Sequence, residues 1–340
     1  MLVAARAGAL SGPEVYEQAC APCHGADGRG APRGSGITVP LPDFTDCAVS
    51  TAETTANWAG LVRHGGPFLG MSSEMPAFGD ALSDEDILAV IARVRAFCTD
   101  PRYPLGDLNF RRPVFVEKAF PEDEAVVSAD VERRAWAAEL AIEQRIGPRG
   151  QIEVAVPGGA VHPEAEPSRG GLGDLAVSYR HVLLAAPRWW TIVAAGTEVV
   201  LPTGNRRHGI GGGTTVVAPQ LFSGHRVGPL VVQTQVRAEL PGDTERAARQ
   251  MLYRLAIQAP VGPYKKCPVP ALELEQSQDL DGAVHAATVL GPTLYMPLSR
   301  RGHVALGAGV QLPVAGTHPF DWRVGTFLLW EYRDGPLWAW

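Results

Sequence analysis

The sequence predicts two domains of opposite class: a small all-α domain, then an antiparallel transmembrane β-barrel of about 10–12 strands. Three observations predict this. Apolar residues recur at helical spacing through residues 1–100. Prolines and glycines break the pattern over 101–130. From 131 to 340 the period becomes two, in runs close to the roughly 9–11 residues a tilted strand needs to cross a bilayer. The expected boundaries are therefore 1–100, a Pro-rich linker 101–130, and 131–340.

The first domain is read from its helix signals. Ser11-Gly12-Pro13-Glu14 gives a Ser cap, a Pro in the first turn and Glu three residues on, so a helix should cover Glu14 to Ala19. A Gly-rich loop follows over Gly25 to Gly36. A second helix is expected over Ala52 to Val62, ending before His64-Gly65-Gly66-Pro67. Ser83-Asp84-Glu85-Asp86 opens a third, whose apolar face would be Ile87, Leu88, Ile91, Val94 and Phe97. That face should pack on the first helix.

Cys20-Ala21-Pro22-Cys23-His24 lies at the end of the first helix. Two thiols at this spacing with a histidine directly after them form an attachment site for c-type haem. The cysteines would make thioethers and His24 would be the proximal iron ligand. A zinc half-site is the competing reading, but no second CxxC or His pair follows at zinc spacing. A thioredoxin-like site would want a βαβ context, which the pattern lacks. Met75, in the loop Gly70-Met71-Ser72-Ser73-Glu74-Met75-Pro76-Ala77-Phe78-Gly79, is the expected sixth ligand, because thioether sulfur favours Fe(II) and raises the potential. Met71 and His64 are reserves. Cys47 and Cys98 either bridge the first domain or remain two buried free thiols, and Cys267 has no assigned role.

The haem motif, Met75-Pro76-Ala77-Phe78 and the helix from Ser83 to Phe97 resemble the class I cytochrome c family. The resemblance implies one covalent haem c, with His24 and Met75 axial and the iron cycling between Fe(III) and Fe(II). It also implies assembly beyond the bacterial inner membrane. Met1 to Ala7 is too short for a full signal peptide, so a leader is expected to be trimmed or incomplete.

Composition narrows the partners. The net charge of −6 argues against nucleic acid. With 38 Gly, 29 Pro and only 19% charged residues, the chain has no apolar run of the ~18 residues that would mark a transmembrane helix, a test that β-strands escape.

Clean alternation marks Trp136–Ile146, Ile152–Val156, Leu175–Leu183, Leu230–Leu240, Val304–Leu312 and Trp322–Tyr332. Weaker strands are expected near 189–201, 214–222, 249–258, 269–277 and 286–297. The count reaches twelve if the linker contributes and one long segment splits. In a soluble sandwich the apolar faces would form the core; in a membrane barrel they point outward. Trp189, Trp190, Trp322, Trp330 and Tyr332 at strand ends fit an interfacial girdle, and the terminal Trp338-Ala339-Trp340 resembles the closing signal of outer-membrane proteins. Pro157, Pro202, Pro241, Pro260 and Pro313 are expected at one rim.

The polar face carries Glu139, Glu143, Arg145, Glu153, Arg180, Glu198, Arg237, Glu239, Arg254, Glu273, Glu275 and Arg323. Its mixed signs favour a solvated or mutually paired lumen lining over a selectivity path. His162, His181, His208, His225, His285, His303 and His318 are scattered, and Gly204–Gly213 reads as a loop rather than a phosphate cradle, so no hydrolytic site is expected.

In architecture the chain resembles fused monohaem cytochrome–porins of outer membranes, including those linked to extracellular iron oxidation. The resemblance implies an electron carrier or oxidoreductase in extracellular or periplasmic respiratory electron transport. It would work with a periplasmic redox protein and sit among outer-membrane lipid. Ten to twelve strands give a backbone radius of roughly 10–12 Å. A domain of this size has a radius of gyration of about 12 Å, so the haem domain is expected at the periplasmic mouth. The alternative is a porin or solute channel with a haem-based sensor or gate. Oligomeric state is left open.

Overall fold

The computed structural model describes residues 11–164, 167–281 and 286–338. Met1 to Ala7, His285 and Trp340 lie outside them. The chain divides into two compact units, Met1–Asn109 and Phe110–Trp340.

In the first unit a helical run passes from α1 (Gly12–Val15) through a π turn at Tyr16–Cys20 into α2 (Ala21–His24). The Ser11 N–H and hydroxyl both donate to the Glu14 carboxylate, at 2.8 and 2.6 Å. Helix α3 covers Cys47–Ser50, α4 Thr55–His64 and α5 Asp84–Arg95. The Thr54 hydroxyl accepts from the Asn57 N–H, which starts α4 later than expected; Gly65 at φ 79 stops it. At α5, Ser83 and Asp86 complete a reciprocal capping box.

Val15 and Tyr16 pack with Val90, Val94 and Phe44 in one cluster. Gly12 makes that crossing close, since a Cβ there would meet the Ala89 carbonyl at 2.3 Å. Leu88 departs from the expected face: it is 51% exposed, and Val90 takes its place in the core. Cys47 and Cys98 are disulfide-bonded, joining α3 to the end of α5.

The second unit is an antiparallel 12-strand closed barrel. Its wall comprises β1 (Glu124–Glu132), β2 (Ala135–Ile146), β3 (Gly150–Val161), β5 (Leu175–Ala186), β6 (Thr191–Leu201) and β7 (Val216–Val227). It continues through β8 (Leu230–Pro241), β9 (Gln250–Gln258), β10 (Val269–Asp279), β11 (Ala286–Pro297), β12 (Val304–Gly316) and β13 (Arg323–Glu331). A short β4 (Arg169–Leu172) pairs beside β3. Each strand pairs with its neighbour in the chain, and Glu124 opposite Glu331 closes the ring between β1 and β13. Both ends of the wall therefore lie at one rim. That rim, here the turn end, also carries the connections 147–149, 187–190, 228–229, 259–268 and 298–303, while the opposite rim carries the two-residue connection 133–134 and the longer 162–174, 202–215 and 242–249.

Polarity is inverted. Along β2, Leu140, Ile142 and Ile146 are exposed, whereas Ala141 and Glu143 between them are buried. The apolar face points outward, as lipid requires. The prolines are not gathered at one rim. Pro157 lies inside β3, where that strand changes partner from β5 to β4, and Pro313 sits at the irregular register of β11 with β12. Pro260 follows β9 at the turn end, while Pro202 and Pro241 lie at the other.

The expected linker 101–130 is not one segment. Residues 105–109 belong to the helical unit: Thr55 donates its N–H and hydroxyl to Asp107, which also pairs with Arg95 at 2.8 Å. Residues 124–130 already belong to β1. Between them, 110–123 runs inside the barrel.

Candidate haem site and barrel lumen

The first site is built on one helical run. Cys20, Cys23 and His24 follow one another at its end, all half-buried. The Tyr16 hydroxyl donates to the Gly25 carbonyl at 2.8 Å, and the Gly30 N–H to the His24 carbonyl at 3.1 Å, so the turn leaving the motif is held from both sides. Phe44 stacks on the His24 ring with centroids 5.1 Å apart, and its own N–H donates to the Gly28 carbonyl at 2.7 Å. Tyr16 and Phe97 meet edge to face, with the Arg93 guanidinium over Phe97.

Burial disfavours the charged form of the His24 imidazole and lowers its pKa. Burial, with Cys23 beside it, pushes the Cys20 thiol up to about 11. Among the described residues, His24 Nδ1 is buried with no hydrogen-bond partner.

Met75 lies in a separate loop, pinned by backbone bonds to the end of α4. Its carbonyl accepts from the Gly66 N–H at 3.0 Å, and the Phe78 N–H donates to Val62 at 3.0 Å. A Cβ at Gly65 would meet the Met75 carbonyl at 2.9 Å, and φ there is positive, so both space and conformation require glycine. The Thr38 hydroxyl donates to Glu74 at 3.0 Å, tying the Gly-rich loop to the Met75 loop. Met75 is half-buried, Met71 exposed, and the exposed His64 ring lies tilted against Phe68.

The donor set fits a c-type haem: two thiols and an imidazole consecutive on one helical run, an unpartnered ring nitrogen, and a thioether in a restrained loop. The supporting Tyr16, Phe44 and Thr38–Glu74 were missed by sequence reasoning. Their contacts join distant loops, which spacing does not encode.

The second site is the lumen. Its charged residues are largely paired: Arg237 with Glu198 at 2.6 Å and Glu239 at 2.9 Å, Arg254 with Glu275 at 2.6 Å, and Arg323 with Glu132 at 2.9 Å. Residues 110–123 occupy its turn-end half. Arg112 pairs with Glu124 at 2.9 Å and Glu143 at 2.5 Å; Lys118 pairs with Glu122 and Glu124. Beyond them lies a cavity of about 680 Å³, lined by Val114 to Glu117 on one side and by Asp130, Glu139 and the paired arginines on others. Glu122, Glu124 and Glu331 lie close enough to suggest a metal cluster, but Lys118, Arg112 and Lys265 already neutralise them.

Comparison with known proteins bears on both domains. Residues 7–92 match the family model for cytochrome c oxidase, cbb3-type, subunit III. The chain thus carries a c-type cytochrome domain at its N-terminus, which implies haem binding and suggests electron transfer, followed by a porin-like barrel. The barrel aligns with an outer membrane channel from Pseudomonas putida F1 at TM-score 0.50 and 15% identity, over 63% of this chain and 97% of that one. The KdgM porin aligns at TM-score 0.42 and 9% identity, over 62% and 99%. At these identities the likeness concerns the fold alone. No curated protein matches the chain.

Proposed function

We propose that the protein is an outer-membrane electron carrier with one haem attached covalently through Cys20 and Cys23 and ligated by His24 and Met75. Such a haem would supply one-electron exchange between Fe(III) and Fe(II). The observation that carries this reading is the run from Cys20 to His24, two thiols and an imidazole on one helical run, with His24 Nδ1 buried and without a hydrogen-bond partner among the described residues. Phe44 orients that ring by stacking, and Gly65 and Gly66 fix the backbone of Met75. No acid, base or nucleophile is needed for outer-sphere transfer.

The cytochrome domain faces the periplasm and exchanges electrons with a periplasmic redox protein, in respiratory electron transport across the envelope. Two features support that orientation. Phe110, the first residue of the barrel unit, packs against Gly224 near the β7–β8 turn. Short turns of outer-membrane barrels are periplasmic.

The test is a redox-titrated visible spectrum of the detergent-extracted protein, wild type and Met75→Leu. The ferric methionine–iron charge-transfer band should be present in the wild type and vanish in the variant, with a fall in potential. A band that is missing from the wild type, or that survives the substitution, rules out Met75 as sixth ligand. Survival of the band would move that role to Met71, whereas its absence from the wild type would favour ligand sensing at an open iron.

A further inference from the structure

We propose that residues 110–123 are a built-in plug that seals the barrel at its turn end, so that the lumen is a blind vestibule and not a solute path. This goes beyond the electron-carrier reading and does not depend on it.

The segment enters and leaves by the same rim. Its start is at turn-end depth, where the Arg111 carbonyl accepts from Gln233 at 2.7 Å and Gln258 at 3.0 Å. It reaches mid-barrel at Val114 to Glu117. There the Val114 and Phe115 N–H groups donate to the two oxygens of Glu273, at 2.7 and 2.8 Å, and the Glu117 N–H donates to Gln235 at 3.2 Å. It then returns. Arg180 donates to the Lys118 carbonyl, and the Glu122 N–H donates to Gln151 at 2.8 Å. Asp123 accepts from the Arg145 N–H at 3.0 Å, and β1 begins at the next residue.

The wall is shaped to receive it. Gln151, Gln233, Gln235, Gln258 and Glu273 are all at most 1% exposed, and each bonds the backbone of the segment. Such wall residues in an open porin would face water. Two wall glycines admit two phenylalanines: a Cβ at Gly224 would meet the Phe110 ring at 2.8 Å, and one at Gly325 the Phe115 ring at 2.3 Å. Val114 packs on the lumen's apolar patch of Val126, Phe327 and Leu329. Backbone groups, ion pairs and ring sockets are thus all matched along one strap. Strap residues Val114 to Glu117 also bound the remaining cavity, as a plug would.

The experiment is conductance across a planar bilayer, using the full haem-loaded chain. Two variants are compared with wild type: residues 111–122 replaced by Gly/Ser of equal length, and Glu273→Ala combined with Gln235→Ala. Heat-modifiable migration on gels reports whether each barrel is folded. The wild type should be nearly silent. The strap replacement should conduct steadily at roughly tenfold or more above wild type, and the wall pair should open in bursts. A steadily open wild type overturns the proposal, as does a folded strap replacement that stays silent. If the replacement does not fold, the wall pair decides, and silence there overturns it too.

Discussion

Two leucines show how differently the two units are built. Leu88 on α5 is 51% exposed and Leu140 on β2 is 45% exposed. Around Leu88 the buried set is Ile87, Val90 and Ile91; around Leu140 it includes Glu143, Glu124 and Gln151. The helical unit hides its apolar face from water, and Leu88 is a tolerated exception. The barrel turns its apolar face to hydrocarbon and spends its interior on paired charges and amides, so there the exposed leucine is the rule. Relative exposure therefore carries meaning only once the surrounding solvent is known.

The largest test of this contrast asks whether the units stand separately. The Cys47–Cys98 bond closes a separation of 51 residues wholly within the helical unit. Replacing both with Ser should cost that unit about 4 kcal/mol on chain-entropy grounds, read as a denaturation midpoint shift in its helical circular dichroism. Barrel unfolding, read by gel migration, should not move. A common shift of both transitions would mean one cooperative body and break the comparison.

A sharper test sets the leucines against each other. Leu140→Arg puts a cation at the middle of a membrane strand and should destabilise the barrel in lipid by roughly 3 kcal/mol. Leu88→Arg, at similar exposure, should change the helical unit by no more than about 0.5 kcal/mol. Equal effects at the two sites would mean that the solvents are not different.

The sequence made this contrast legible through period. Alternation located the strands observed as β2, β3, β5, β8, β12 and β13, with weaker signals for β6, β7 and β9 to β11, because each strand has one face in lipid. Cys20 to His24 was legible because covalent haem attachment imposes a local spacing. The strap was not legible, and β1 entered only as the linker's conditional contribution to a count of twelve. In the strap, Glu117 bonds Gln235 across 118 residues and Val114 bonds Glu273 across 159. A Pro-rich segment whose backbone is satisfied by distant glutamines and a glutamate looks like a linker in one dimension. Leu88 was misplaced for a related reason: helical spacing gives the stripe, and packing against α1 decides its edge.

The smallest expected effect probes the water-facing side of the comparison. Glu14 accepts from the Ser11 hydroxyl and the Ser11 N–H, and these bonds hold its carboxyl below the usual carboxylate range. A depressed folded pKa stabilises the fold fully above the unfolded value. That increment is lost as pH falls from the ordinary glutamate range through the lowered one. Glu14→Gln keeps an acceptor at the helix start but does not titrate. Acid unfolding of the helical unit, followed by circular dichroism on the full chain, should therefore show the wild type ahead of the variant near neutrality. The two should converge at the acid end, by a small margin because the carboxylate is solvent-screened. If the gap between them stays constant across that range, the carboxylate bonds to Ser11 contribute nothing and the start of α1 is held by packing on α5 alone.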